Sequence, residues 1–167
     1  MQKYAGLEHP FEPVFDKRSR VLILGTFPSV KSRERGFYYG HPQNRFWKVI
    51  AKITDTNPVP ETIAAKKQML FDNGIALSDV LQSCDIEGSS DASIKNAVPM
   101  DLSEILNAAN VDLICANGDK ARRLFVRYFG GKVNLKAIKL PSTSPANAKY
   151  NLDALVSEWR KIFDRKS

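Results

Sequence analysis

The chain has 167 residues, 43% hydrophobic and 26% charged, and a net charge of +7 at pH 7. That length suits one compact domain, residues 1–167, with enough apolar side chains to build a core. A mean hydropathy of −0.30, with no apolar run near the ~20 residues of a spanning helix, excludes a membrane-embedded protein.

The start at Met1-Gln2-Lys3-Tyr4 is polar and interrupted by proline, unlike a signal peptide, and the expected location is cytoplasmic. Cys84 and Cys115 have no paired metal-ligand spacing and cannot form a disulfide framework; Cys115, in an apolar run, is expected as a buried thiol.

In chain order, Val21-Leu22-Ile23-Leu24 is a continuous apolar run ending at Gly25, the pattern of a strand buried on both faces. Gly25 to Asn44 reads as a long functional loop, and Asn44 as the N-cap of a helix carrying Phe46 and Trp47 into the core. A second helix follows Pro60 and ends at Asn73-Gly74. Ile75 to Leu81 is a strand, and the polar stretch Asp85 to Asn96 a surface loop. Leu102, Ile105, Leu106 and Ala109 form a helical stripe, followed by a strand from Val111 to Ala116 and a helix from Lys120 to Phe129. Val133 to Leu140 is the fourth strand, and a last helix opens at Asn151. Strands alternating with helices predict an α/β fold: a three-layer α/β/α sandwich around a four-stranded parallel sheet. Ligands of such folds bind beyond the carboxyl ends of the strands.

The positive charge is concentrated. From Lys17 to Thr54 nine basic residues face one acid, Glu34, so this segment alone exceeds the net charge of the whole chain. Tyr38 and Tyr39, between Gly36 and Gly40, are expected on a loop among these cations. Cations neutralise phosphates and exposed rings stack on bases, which favours a nucleic-acid partner.

Other chemistries lack their motifs. There is no phosphate loop, no GxGxxG and no nucleophile elbow. His9 and His41 have no regularly spaced partners, so no metal site is expected and both read as loop or packing residues. Asp79 and Asp119 form no defined carboxylate pair.

Gly25-Thr26-Phe27-Pro28-Ser29, the run Phe37 to Ile50 through Asn44-Arg45-Phe46-Trp47, and Leu140-Pro141-Ser142-Thr143-Ser144-Pro145-Ala146-Asn147 together resemble the uracil-DNA glycosylase superfamily, including its mismatch-specific uracil and thymine enzymes. Three positions depart from the uracil-excising pattern. Phe27 stands where many members place Asp or Asn, Ser142 where the strongest uracil enzymes carry His, and Ser78 where they read uracil with Asn. The combination is closest to the hypoxanthine-DNA glycosylase branch.

That resemblance implies a monofunctional glycosylase that flips a deaminated base out of DNA and hydrolyses its N-glycosidic bond, with Asn44 as the catalytic residue. It implies a base pocket of Thr26, Phe27, Tyr39, Ser78 and Asp79, with Tyr39 stacking on the base and Tyr38 in reserve. Lys31, Arg33 and Arg35 supply charge, while Ser29, Ser142, Thr143 and Ser144 hold phosphates. Ala146 or Asn147 fills the vacated stack. No cofactor is implied, and the partner is double- or single-stranded DNA bound by a monomer. Two alternatives stand beside this reading: a uracil or thymine mismatch glycosylase, and a DNA-damage-binding module without catalysis. For Asn44, plain helix capping competes with catalysis.

Overall fold

The computed structural model describes residues 1–163. Its regular elements run β1 (Lys3–Glu8), β2 (Val21–Gly25), α1 (Val30–Arg35), α2 (Phe46–Ile53), α3 (Ile63–Asp72), β3 (Ile75–Asp79), β4 (Leu81–Glu87), β5 (Lys95–Pro99), α4 (Ser103–Ala108), β6 (Leu113–Asn117), α5 (Asp119–Phe129), β7 (Ala137–Leu140) and α6 (Leu152–Trp159).

The expected four parallel strands are present, and they pair in the order β3-β2-β6-β7. Central β2 is buried at every position, and its side chains alternate between two cores. Val21 and Ile23 pack with Phe46, Ile50, Leu70, Leu155 and Trp159, so α2, α3 and α6 cover one face. Leu22 and Leu24 pack with Ile105, Ala121, Leu124 and Phe125 from α4 and α5, and with Leu81, Cys84 and Ile86 of β4, on the other.

That second face differs from expectation. A three-stranded antiparallel sheet, ordered β1-β4-β5, shares the layer with the helices. The strand expected to continue to Leu81 ends at Asp79, and Leu81 begins β4. Part of the stretch expected as a surface loop is β4, a 3-10 turn at Asp91–Ser93 and β5. Strand β4 buries Ser83 and Cys84 beside Leu81 and Ile86, and β1 is mostly exposed, so neither shows apolar alternation. Two smaller corrections follow the same logic. Helix α1 lies inside the long loop and has no apolar stripe, and the last strand starts at Ala137 rather than Val133. Both cysteines are buried, as expected for Cys115.

The register brings the strand ends level: Gly25 opposite Asp79, Leu24 opposite Ala116, and Asn117 opposite Leu140. Neighbours β3 and β6 flank β2 on opposite sides, so their connections diverge above it and leave a crevice at its carboxyl end.

Trp159 locks one wall of this crevice. Its ring meets Phe46 edge-on at 5.9 Å, and its Nε1–H donates to the Pro141 carbonyl at 2.9 Å. Trp159→Phe removes the donor and leaves a smaller ring, so urea melts should show a loss of about 1–3 kcal/mol. A loss below about 0.5 kcal/mol would show that the bond to Pro141 contributes nothing.

Candidate active site at the carboxyl edge of the parallel sheet

A cavity of about 330 Å³ opens at this edge, within the range of small-ligand sites. The loop after β2 supplies Thr26, Phe27, Pro28 and Ser29; the segment before α2 supplies Tyr39, His41 and Asn44; β3 and β6 end in it at Asp79 and Asn117; and Ser142, Thr143, Ser144 and Ala146 close it after β7.

Asn44 is held from two sides. The N-cap position of α2 is Arg45, one residue beyond the expected Asn44, and Asn44 Oδ1 instead braces the approach to the helix: it accepts the Phe46 N–H at 3.0 Å and the Thr143 hydroxyl at 2.9 Å. Two bonds fill the two lone pairs of the amide oxygen, and the Nδ2 donors remain for the cavity. Thr143, wholly buried, is itself clamped: its Oγ1 accepts from Asn117 Nδ2 and its N–H donates to Asn117 Oδ1, both at 3.0 Å. Arg45 fastens the same loop to α2, donating to the carbonyls of Ser144 at 2.8 Å, Asn147 at 3.1 Å and Tyr150.

Tyr39 takes φ = 54°, the left-handed region that costs a non-glycine residue about 1–3 kcal/mol. One face of its ring is stacked on Phe46, with centroids 4.1 Å apart and planes 19° from parallel. Its buried hydroxyl approaches Asn117 and Asp79 but reaches hydrogen-bond geometry with neither, and among the described residues it has no partner. Burial first, and then the charge of Asp79, push the Tyr38 and Tyr39 hydroxyls well above the usual phenol range. Gly25 makes room here: a Cβ would overlap Asp79 Oδ1 and stand 2.7 Å from the Tyr39 hydroxyl.

Asp79 is bound from behind by His9, whose Nε2 lies 2.8 Å from Oδ2. Asp91, on the 3-10 turn, lines the cavity mouth. Desolvation of its carboxyl, helped by the charge of Asp79 and opposed by Lys120, pushes its pKa up to about 6.

Most of the expected site residues meet at this cavity; Ser78, Lys31, Arg33, Arg35 and Asn147 do not, while Tyr38 and Ser29 line it in roles other than those expected. Ser78 is fully buried, with its hydroxyl on the Asp79 carbonyl, because the cavity opens one residue further along β3. Tyr38 lies in the core rather than on an exposed loop, donating to the Glu12 carbonyl, so it offers no free face for stacking. Ser29 caps α1 by accepting from the Ser32 N–H. Arg33 braces the Pro28 and Gly88 carbonyls beneath the Tyr4 ring, Lys31 pairs with Glu34, and Arg35 is exposed. Asn147 lines an adjoining depression with Lys139 and Lys149, two cations outside the basic segment. His9, Asn117 and Asp91 were not expected here; only the position of Asn117 at a strand end hinted at the site. Among the described residues no group of three metal-binding side chains converges.

Two measurements check this geometry. Tyr39→Phe removes a hydroxyl with no partner and should leave the melting temperature unchanged or higher, whereas Tyr38→Phe should cost about 1 kcal/mol. Asp91 binds its proton more tightly folded than unfolded, so its ionisation removes stability as pH rises from about 4 to about 6. Thermal melts of Asp91→Asn should therefore match the parent near pH 4 and exceed it at pH 8; a gap constant with pH would contradict the raised pKa.

Comparison with known proteins agrees with this architecture. The uracil DNA glycosylase superfamily profile matches residues 12–163. A Methanosarcina acetivorans protein named hypoxanthine DNA glycosylase is 32% identical over 158 residues, covering 94% of this chain and 98% of its own. A Methanosarcina barkeri protein of the same name is 31% identical, covering 93% and 97%. A solution NMR structure from Methanosarcina acetivorans, described as a candidate uracil DNA glycosylase, superposes with a TM-score of 0.79 at 31% identity, covering 97% of both chains. With its parallel sheet, its site at the carboxyl edge and a match across nearly its whole length, the chain belongs to the uracil DNA glycosylase superfamily.

Proposed function

We propose that this protein is a monofunctional DNA glycosylase that excises hypoxanthine, with Asn44 as its catalytic residue. The observation that carries the reading is the meeting of Asn44 and Tyr39 in one cavity, in a chain whose relatives are named hypoxanthine DNA glycosylase.

A base inside a duplex is out of reach, so the nucleotide must rotate out at a cost of a few kcal/mol, least for a weakly paired lesion. Tyr39, already stacked on Phe46, offers its second face to the extruded ring. Exposed Ala146 lies at the rim to enter the vacated stack. The Ser142 to Ser144 loop, Lys139 and Lys149 provide donors and charge for the flanking phosphates.

Cleavage breaks the bond from the sugar carbon to the base nitrogen, whose electron pair leaves with the base; water adds to that carbon, and the proton it sheds passes through solvent to the departing base. The Asn44 Oδ1 is filled by Phe46 and Thr143, so Asn44 acts through its Nδ2–H donors on the electron-rich leaving base. An amide removes no proton from water. The rate gain comes from donors fixed in advance, as in an oxyanion hole, and turnover is slow.

Duplexes with a single deoxyinosine, deoxyuridine or thymine mismatch, treated with protein and then alkali, test the proposal. Scission is expected at deoxyinosine. Preference for uracil or thymine supports the mismatch alternative, and binding without scission the damage-binding module. Asn44→Ala should slow deoxyinosine excision by about 100-fold or more; an unchanged rate overturns its catalytic role.

A further inference from the structure

The cavity floor holds a pair of side chains for which the proposed chemistry has no step. His9 follows β1, and its own N–H donates to the Gln82 carbonyl at 2.7 Å, so the pairing of β1 with β4 carries the residue to the end of β3. There its Nε2 meets Asp79 Oδ2 at 2.8 Å, across 70 residues of sequence, with side-chain exposures of 0% and 5%. The other ring nitrogen faces Phe11 alone, with the N–H at 3.1 Å and the carbonyl at 3.0 Å. A neutral ring with its proton on Nε2 accepts from the Phe11 N–H, and a protonated ring donates to the Phe11 carbonyl. In both forms Nε2–H stays on Asp79. The ring is also fixed by edge-on contacts to Phe11 at 5.4 Å and Phe27 at 5.7 Å.

Asp79 Oδ1 is left as an acceptor without a donor among the described residues, placed over Gly25 where any Cβ would strike it. A carboxylate has no proton to give, so Oδ1 itself offers a flipped base only an acceptor. We propose that His9 is a positioning residue for base selection: by tethering Oδ2 it turns Oδ1 toward the cavity to accept a ring N–H, so that the site takes lactam bases and refuses those with a bare lone pair at that nitrogen. Hypoxanthine presents N1–H on its lactam edge. Adenine presents an N1 lone pair to the same oxygen, and two acceptors repel. Guanine also carries N1–H, so its rejection rests on the greater cost of opening its stronger pair. The inference rests on the reading of this cavity as a base pocket and adds the rule by which it chooses.

The test compares deoxyinosine with deoxynebularine, the unsubstituted purine nucleoside whose N1 is a bare lone pair, in otherwise identical duplexes. Single-turnover excision and equilibrium binding are both measured, together with the melting temperature of each variant. His9→Phe keeps an aromatic ring among Phe11, Phe27 and Tyr38 but loses the donor, and His9→Gln restores a donor. The inosine-to-nebularine ratio should fall about 10-fold or more in His9→Phe and recover in His9→Gln. Equal losses on both substrates in a folded His9→Phe, with the ratio intact, would show that His9 only supports the fold and would overturn the proposal. Should His9→Phe not fold, Asp79→Asn decides: its amide can donate to a bare N1, so the ratio should shift toward nebularine, and an unchanged ratio overturns the proposal. If the parent protein cleaves neither duplex, the excision reading fails by itself, and the same ratio read by binding still confirms or overturns the role of His9.

Discussion

Thr143 has no exposed surface, and its single hydroxyl both accepts from Asn117 and donates to Asn44. Three segments far apart in sequence, the end of β6, the start of α2 and the loop after β7, are thereby joined at one oxygen. The clamp works because each group is used in a compatible sense: the Asn117 amide gives and takes, the hydroxyl relays, and the Asn44 oxygen only accepts. Arg45 reinforces it with three carbonyl contacts on the loop that follows. Asn44 is consequently oriented before any ligand arrives, and its bond to the start of α2 does not exclude the proposed catalytic role. The bonds from Phe46 and Thr143 occupy its oxygen and leave its nitrogen available.

The unfavourable features of the fold gather around the same cavity. Among the described residues, Tyr39 has a left-handed backbone and an unpartnered hydroxyl, Arg45 leaves a buried Nε without a partner, and Asp79 is a buried carboxylate tied to one side chain. Each of the first two costs on the order of 1–3 kcal/mol. The wholly buried sheet strands and the aromatic cluster around Phe46 and Trp159 offset this, since each large buried side chain contributes about 1.5–3 kcal/mol. Strain of this kind persists only where the surroundings over-determine it. Tyr39 meets that condition, wedged between the Phe46 ring and the narrow space over Gly25.

How much of this could be read from the chain depended on where the physical signal lay. The parallel sheet was legible because Val21 to Leu24 and Ile75 to Leu77 are buried on both faces and therefore continuously apolar. Strand β1 was not, since most of its residues face solvent, and β4 was not, since Ser83 and Cys84 take inward positions that an apolar pattern would fill. That miss carried another with it: without β1 paired to β4, nothing places His9 beside Asp79. The residues at the cavity from the first and last motifs were reachable by resemblance, but Ser78 and Tyr38 were not resolved by it. On β3 a shift of one residue exchanges a cavity wall for core, and at Tyr38 a ring that lines the cavity is packed into the core instead of exposed on a loop; a motif encodes neither.

For the proposed reaction, the cavity also favours an amide over an acid at position 44. Asp79 on the floor and Asp91 at the mouth are close enough that the charge of the first helps raise the pKa of the second to about 6. A carboxylate at position 44 would be a third negative group in the same small volume, and it would be pushed upward in the same way. It would also face the phosphates of an incoming strand. The two bonds that now converge on Asn44 Oδ1 favour an acceptor, and a carboxylate would keep them, but it would have no donors for a base that gains electron density as it leaves. An amide satisfies both demands at once: an oxygen for Phe46 and Thr143, and a pair of N–H groups for the reaction, with no charge to desolvate. In the proposed mechanism this arrangement forgoes a strong base toward water, and donors fixed in advance by Phe46 and Thr143 compensate.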